Sequence, residues 1–390
     1  MSEGSDADAP QRRRPPRKNA GGAPAASSGA SAKPEGRRGP PRFAAIDLGT
    51  NNCRLLIASP RGRGFRVVDA FSRIVRLGEG VAASGQLSDA AMSRTIGALR
   101  VCAQKMERRD VARARCIATQ ACRGAANGDA FLARVQSETG LRFEIISPAE
   151  EARLAVEGCA QLIDMAADAA LIFDIGGGST EISWLDLRDR DTAKGDGTKD
   201  GGRMVDRIGG WVSLPYGVVT VSERFGGRDI SAEGYAAMAA FVADEIRKAC
   251  APGLTEIFEA GRGHLLGTSG TVTSIAGVFL DLPRYERRLV DGLWMSAVDA
   301  RSVSERLRRM GYEGRVAQPC IGAERADLVV AGCAILEAIL GIWPAERIRV
   351  ADRGLREGVL LSLMNSRSGR GRRHRRRKRR PPSEPRAPSS

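Results

Sequence analysis

The chain has 390 residues and 42% apolar content, enough for two or three domains with their own cores. Its formal charge of +15 is not spread over the chain: residues 1–42 hold nine Lys/Arg against four Asp/Glu, and residues 367–390 hold eleven against Glu384 alone. The two ends carry the whole excess, so residues 43–366 are balanced at about zero, and the folded part is not basic overall.

Residues 1–42 are Pro, Gly, Ala, Ser and Arg with almost no large apolar side chain, and too little surface can be buried there to offset chain entropy. A disordered tail is expected over 1–42, and a second, self-repelling one over the Arg-rich 367–390. Phe43-Ala-Ala-Ile-Asp47 opens the folded part as a short strand. Gly49, Thr50, Asn51 and Asn52 make a turn, and Cys53 to Ala58 form a second strand, which is hairpin chemistry. Arg66 to Phe71 add a third strand. Ser88 then caps a helix with apolar Met92, Ile96, Leu99, Ala103 and Met106 at three-to-four spacing.

The same order recurs downstream. Ala170-Leu-Ile-Phe-Asp174 is a strand ending in aspartate, Gly176 to Thr180 turn, and Glu181 to Leu185 return. A polar insertion, 188–207, precedes a third strand near Trp211 to Leu214. Two related α/β lobes with a cleft between them follow from this repeat. Their expected bounds are 43–153 and 154–352, with a closing helix over 353–366.

Eight cysteines lie scattered through the chain without a CxxC pair, and the only histidines are His264 and His374. Zinc and thioredoxin-like sites lack their ligands, and Ser-His-Asp or Cys-His schemes lack their base. The cysteines read as small buried hydrophobes of a reducing compartment, and His264 as structural. The N-terminus has no apolar signal segment, and Glu3, Asp6 and Asp8 oppose a transit peptide. The longest apolar run, Ala326 to Trp343, carries Asp327 and Glu337 and falls short of the about 20 residues of a span. It reads as a buried helix, and the chain as soluble, cytoplasmic and free of membrane contact.

Three glycine/hydroxyl turns follow apolar strands: Gly49-Thr50-Asn51, Gly176-Gly177-Gly178-Ser179 and Gly267-Thr-Ser269-Gly270-Thr271. Glycine lets backbone amides approach an anion, and hydroxyls add donors, so these turns are candidate phosphate cradles. Neither the GxxxxGK[ST] loop nor the dinucleotide fingerprint is present. Asp47, Asp174 and Glu181 form an acidic set beside the turns, suited to Mg2+, which takes a few carboxylate oxygens and leaves room for phosphate and water. A turn-capping aspartate and a solvated strand glutamate are the plainer alternative. In Ser147-Pro148-Ala149-Glu150-Glu151, Ser147 caps a helix, Pro148 starts it and Glu150 completes a capping box. Glu151 has no such duty and becomes the candidate base for a water. Arg123 sits in a polar context suited to phosphate oxygens, while Arg325 and Arg356 precede apolar helical runs and stay unassigned.

These motifs together resemble the exopolyphosphatase/guanosine-pentaphosphate phosphatase family of the actin-like, ribonuclease H-like superfamily. The resemblance covers residues 43–365 and rests on the motifs at 46–52, 118–127, 145–153, 173–181, 213–217, 267–271 and 354–358. It implies two ribonuclease H-like lobes with an interlobe active site and a final helix after Gly354 packing back on the first lobe. It also implies Glu151 as base, metal and water organised by Asp174 and Glu181, and phosphate contacts from Arg123 and Gly176 to Ser179. The implied activity is Mg2+-dependent release of orthophosphate from the end of inorganic polyphosphate. The alternatives are guanosine pentaphosphate as substrate, or a non-catalytic actin-like scaffold whose tails bind RNA or another polyanion. A sugar or acetate kinase of the superfamily is a weaker option. Oligomeric state stays open, a homodimer included.

Overall fold

The computed structural model describes residues 39–62, 64–188, 203–249 and 255–365. The expected tails, and most of the 188–207 insertion, lie outside the described residues.

The first sheet has five strands: β1 (Arg42–Leu48), β2 (Asn52–Arg61), β3 (Gly64–Ile74), β4 (Val111–Ala118) and β5 (Phe143–Ile145). Their order is β3-β2-β1-β4-β5, antiparallel from β3 to β1 and parallel from β1 to β5. β1 is almost continuously apolar because it is central and covered on both faces. β3 lies at the edge and carries many exposed residues, with Asp69, Arg66 and Arg73 among its charged ones.

The second sheet is built from β6 (Ala169–Ile175), β7 (Thr180–Asp186), β8 (Ile208–Leu214), β9 (Gly263–Thr268), β10 (Trp294–Ser296) and β11 (Arg347–Ala351). Its order, β8-β7-β6-β9-β11-β10, repeats the first sheet strand for strand and adds β10 at the edge. The two α/β lobes inferred from the repeated hairpins are therefore present, in the two-domain actin-like arrangement. The helix predicted over the long apolar run is Val329–Ile342, buried along nearly its whole surface in the second lobe's core. No helix among the described residues is long and apolar enough to cross a membrane.

Two helices cross between the lobes. Pro148–Cys159 follows β5; its Leu154 packs with the first lobe, and Val156 and Cys159 pack on the second sheet with Ile172, Leu185 and Leu266. The 153/154 bound thus falls inside one unbroken helix that serves both lobes. The helix over 355–365 follows β11 and returns to the first lobe, with Leu355, Val359, Leu360 and Leu363 against Phe43, Ala45, Leu56 and Ile117. The crossing is backbone on backbone: a Cβ at Gly158 would lie 1.9 Å from the Gly354 carbonyl oxygen, and one at Gly358 would lie 2.0 Å from that of Leu154.

One predicted turn is corrected. Gly267 lies within β9, where a Cβ would meet the Phe173 ring at 2.6 Å. It is a glycine of sheet packing, and the turn to the helix Ser269–Phe279 comes only after Thr268.

Candidate active site

The two hairpin tips are built alike. In the first, the Gly49 amide donates to the Asn52 carbonyl, the Asn51 carbonyl accepts from Val75 and Arg76, and the Thr50 carbonyl accepts from Gly78. In the second, the Gly176 amide donates to the Ser179 carbonyl, and the carbonyls of Gly176 and Gly177 accept from Val218 and Val219. Each tip therefore has its carbonyls tied back by the segment that follows the sheet's third strand. Among the described residues no backbone carbonyl accepts from the amides of Thr50, Asn51, Gly177 or Gly178. Free amides with their carbonyls turned away make a cradle for anions. The tips also face each other: a Cβ on Gly178 would lie 2.4 Å from Thr50 Oγ1, and one on Gly177 would lie 2.9 Å from the Asn51 nitrogen. The glycines serve lobe closure as much as anion approach.

Between the lobes lies a cleft of about 500 Å³. It is lined by Asp47, Gly49, Thr50, Asn51, Glu151, Asp174, Gly176 to Ser179, Glu181, Ser269 and Gly270, which brings most of the residues singled out in the sequence into one place. Two rows of register partners stand at it, with all but Ser213 in its lining. In the first sheet Asp47 faces Arg54, which faces Ser72; in the second Asp174 faces Glu181, which faces Ser213. Ser213 Oγ donates to Glu181 Oε1 at 2.8 Å, and the Ser179 and Ser269 hydroxyls help to hold down the proton affinity of Glu181 and Asp174. Ser269 holds φ at 81°, a left-handed conformation that costs a non-glycine residue on the order of 1–3 kcal/mol. Such strain persists where the surrounding structure enforces it, here at the edge of the carboxylates.

Glu151 is buried, with 8% of its surface exposed, and enters the cleft from the first turn of Pro148–Cys159. Ser147 accepts from the Glu150 amide, as expected of the cap. The reciprocal half of the box is replaced: Glu150 Oε1 accepts from Arg115 Nη2 at 2.7 Å. Arg123 differs from its expected role. Its guanidinium donates to the Ile146 carbonyl at 2.8 Å, Gln120 Oε1 at 2.9 Å and Glu151 Oε2 at 3.2 Å, and it is not part of the cleft lining. It holds the Glu151 carboxylate in place from the short helix after β4, Gln120–Gly124. Gly267 is also outside the cleft, and Thr271 lines a smaller adjoining cavity.

Burial raises the proton affinity of all four carboxyl groups, and neighbouring carboxylates add to it. Burial, and then Glu181, push Glu151 well above the carboxylate range, against the pull of Arg123. Burial, with Asp174 adding to it, raises Glu181 to about 7. Burial raises Asp174 to about 6, with Arg54 the strongest opposing charge. Asp47 is raised by burial and drawn back by Arg54 and Arg356. The cluster is short of positive charge and would accept a cation. Among the described residues no three acidic, histidine or cysteine side chains are grouped closely enough to chelate one alone. That donor set fits Mg2+, which is held by one or two carboxylates together with substrate oxygens and water.

Several cleft residues escaped the sequence reading or stayed unassigned in it. Arg54 and Arg356 line the cleft, and neither makes an ion pair or hydrogen bond among the described residues. The signal for Arg54 was its position in the first hairpin, which matches that of Glu181 in the second. Arg287 is paired with Glu357 at 2.8 Å and Arg353 with Asp291, so these stand at the cleft as neutralised pairs.

The model of the Ppx/GppA phosphatase family matches residues 56–367. Over 326 residues the chain is 29% identical to the guanosine-5'-triphosphate,3'-diphosphate pyrophosphatase of Photobacterium profundum, covering 83% of this chain and 60% of that protein. The chain thus spans about 60% of the length of this curated relative. Among solved structures, the Aquifex aeolicus member of the Ppx/GppA family aligns over 84% of this chain and 98% of its own, with TM-score 0.65 and 26% identity. An exopolyphosphatase from Cytophaga hutchinsonii shares the fold at TM-score 0.72 and 23% identity, over 83% and 98% of the two chains. With four-fifths of its length matched by the family model, the chain belongs to the Ppx/GppA phosphatase family.

Proposed function

We propose that the chain is a phosphoanhydride hydrolase that removes the terminal phosphate from a polyphosphorylated substrate. The observation that carries this reading is Glu151, brought from a third element into the cleft beneath two amide-lined hairpin tips, beside Asp47, Asp174 and Glu181. Glu151 takes a proton from a water, and the water oxygen bonds to the terminal phosphorus. The bond from that phosphorus to the bridging oxygen breaks, and its electron pair stays on the shortened substrate. A carboxylate of raised proton affinity is a stronger base once ionised, and Arg123 both orients it and favours its ionised form. The tip amides, Arg54 and Arg356 meet the charge spread over the phosphoryl oxygens. Asp174 and Glu181, with Asp47 nearby, would hold Mg2+, which would supply positive charge against the phosphoryl oxygens.

Inorganic polyphosphate and guanosine pentaphosphate both end in the required bond. The phosphate-directed tips suit the first without further contacts, and the name of the Photobacterium relative favours the second. Phosphate release from each, with and without Mg2+, tests the proposal on wild type and Glu151→Ala. The variant should lose on the order of 10²–10⁴-fold in rate. A Glu151→Ala enzyme as fast as wild type would remove the base from the mechanism.

A further inference from the structure

The segment that follows β3 carries the first hairpin tip on its amides. Val75 and Arg76 donate to the Asn51 carbonyl, and Gly78 donates to that of Thr50. In the second lobe the start of the helix Val218–Phe225 does the same for Gly176 and Gly177. These two supporting segments are joined to each other across the lobes. Arg76 Nη1 and Nη2 donate to the two carboxylate oxygens of Asp327 at 2.8 and 2.9 Å, and Nη2 also donates to the Glu324 carbonyl at 3.2 Å. The Asp327 carbonyl accepts at 3.0 Å from the Oγ of Ser222, which belongs to the helix that holds the second tip. A second tie lies alongside, where the Gly80 amide donates to Glu223 Oε1 at 2.8 Å.

Arg76 therefore has its backbone on one tip and its side chain on the other lobe. It holds φ at 46°, a left-handed conformation that a non-glycine residue keeps only where its surroundings enforce it. Here the amide bonded to Asn51 and the guanidinium bonded to Asp327 fix it from both ends. Arg94 steadies the same segment, its Nε donating to the Val75 carbonyl at 3.1 Å. A guanidinium and a carboxylate that meet through two parallel bonds define an orientation as well as a distance. Arg76 and Asp327 line a separate cavity of about 320 Å³ that shares no residue with the cleft, so the pair stands outside the site it would govern.

We infer that Arg76 and Asp327 form a positioning latch that sets the spacing of the two hairpin tips, so that both cradles meet one phosphate end at once. The inference rests on the hydrolase reading for what the cradles hold. The crossing helices join the lobes at Gly158 and Gly354, and a joint of that kind permits rotation of one lobe on the other. The latch removes that freedom before substrate arrives, so that binding costs less ordering. Glu151 is oriented by Arg123, and Glu181 by Ser213, through bonds that the latch does not touch. A saturating substrate that bridges both tips draws the lobes together by itself, so the loss of the latch falls on KM and spares kcat.

Phosphate release from polyphosphate and from guanosine pentaphosphate is measured for wild type, Arg76→Met, Asp327→Asn and the double variant. Each single variant should raise KM by about three- to tenfold, with kcat changed by less than about twofold. The double variant should be no worse than either single one, since the two substitutions remove one link. Arg76→Lys, which keeps the charge and loses the fork, should recover part of the KM. Arg100→Met, which breaks the Arg100–Glu138 pair within the first lobe, should move neither constant. An unchanged KM, a fall confined to kcat, or additive effects in the double variant would overturn the latch. Hydrogen exchange separates this from the hydrolase reading, because it needs no turnover. The amides of Val75, Arg76, Gly78, Val218 and Val219 should exchange faster in Arg76→Met than in wild type, while those of β1 keep their rates. Equal exchange in the two chains sinks the latch even if both substrates are cleaved, and faster exchange upholds it where neither is.

Discussion

The two lobes present the same three-residue row at the same place and fill it with different charge. Asp47, Arg54 and Ser72 run across the first sheet; Asp174, Glu181 and Ser213 run across the second. The tips above the rows are tied back in the same way, so the repeated fold supplies the anion cradle twice. The chemistry is not repeated. A single register position, arginine in one hairpin and glutamate in the other, makes the first row self-compensating and leaves the second with two buried carboxyl groups. Arg54 is also the strongest charge holding down the proton affinity of Asp174 in the other lobe. Closure of the lobes therefore sets the second row's surplus of negative charge beside an arginine shared between Asp47 and Asp174. That combination suits a divalent cation on one side and a polyanion on the other.

The sharpest way to break this asymmetry is Glu181→Gln, which keeps volume and removes the second lobe's distinguishing charge. Phosphate release should fall on the order of 10²–10³-fold, and the stimulation by Mg2+ should fall with it. Loss of rate with full Mg2+ stimulation would show that Glu181 serves only to support the fold.

Much of this was legible in the sequence because it is local. A strand ending in aspartate, a glycine turn and a return strand fix one another within about 15 residues, so both hairpins could be read directly. Ser147 and Pro148 likewise announced the helix that carries Glu151. What escaped depends on distant partners. Arg123 looked like a phosphate ligand until the start of Pro148–Cys159 was placed against it. Gly267 looked like a turn glycine, and only the neighbouring Phe173 shows that it is there to let strands pack. Arg54 gave no signal by composition. It became visible when β1 and β2 were set in register with their counterparts β6 and β7.

Protons should report the same asymmetry in stability. The folded state raises Asp174 from about 3.8 to about 6 and Glu181 from about 4.5 to about 7, so it binds protons more tightly than the unfolded chain. Stability from these groups is present in full at low pH and is lost as pH rises between roughly 4 and 7, by about 3 kcal/mol for Asp174 alone. Thermal melts without metal should therefore show this contribution weakening between about pH 4 and about pH 7. Mg2+ should restore more at the higher pH, where the carboxylates are ionised. Asp174→Asn should flatten the profile more than Asp47→Asn, since Asp47 faces Arg54 and Asp174 faces Glu181. Equal flattening would deny the register argument.

Both rows come together only if the two crossing helices pack backbone to backbone. Gly158→Ala would press a methyl group against the Gly354 carbonyl and should cost about 1–3 kcal/mol or more, read from denaturant midpoints. Gly97 is the control: it lies inside the helix Asp89–Arg108 with open space where a Cβ would stand. Gly97→Ala should stabilise by about 0.5–1 kcal/mol. Similar responses at the two positions would mean that the crossing tolerates separation.

The smallest effect expected is the one that compares the rows most directly. Ser213 Oγ donates to Glu181 Oε1 and so favours the ionised carboxylate. Without that donor the proton is held more tightly, and a reaction that needs Glu181 ionised is lost at a higher pH. Ser213→Ala should shift the acid limb of the pH–rate profile upward by about half a unit to one unit, the worth of one hydrogen bond to a charged group weakened by nearby solvent. Ser72 occupies the same register position in the first sheet, but its partner there is Arg54, which no hydroxyl is needed to keep charged. Ser72→Ala should leave that limb where it is. If both alanines moved it equally, the limb would belong to the cleft as a whole, and the division of labour between the hairpins would have to be given up.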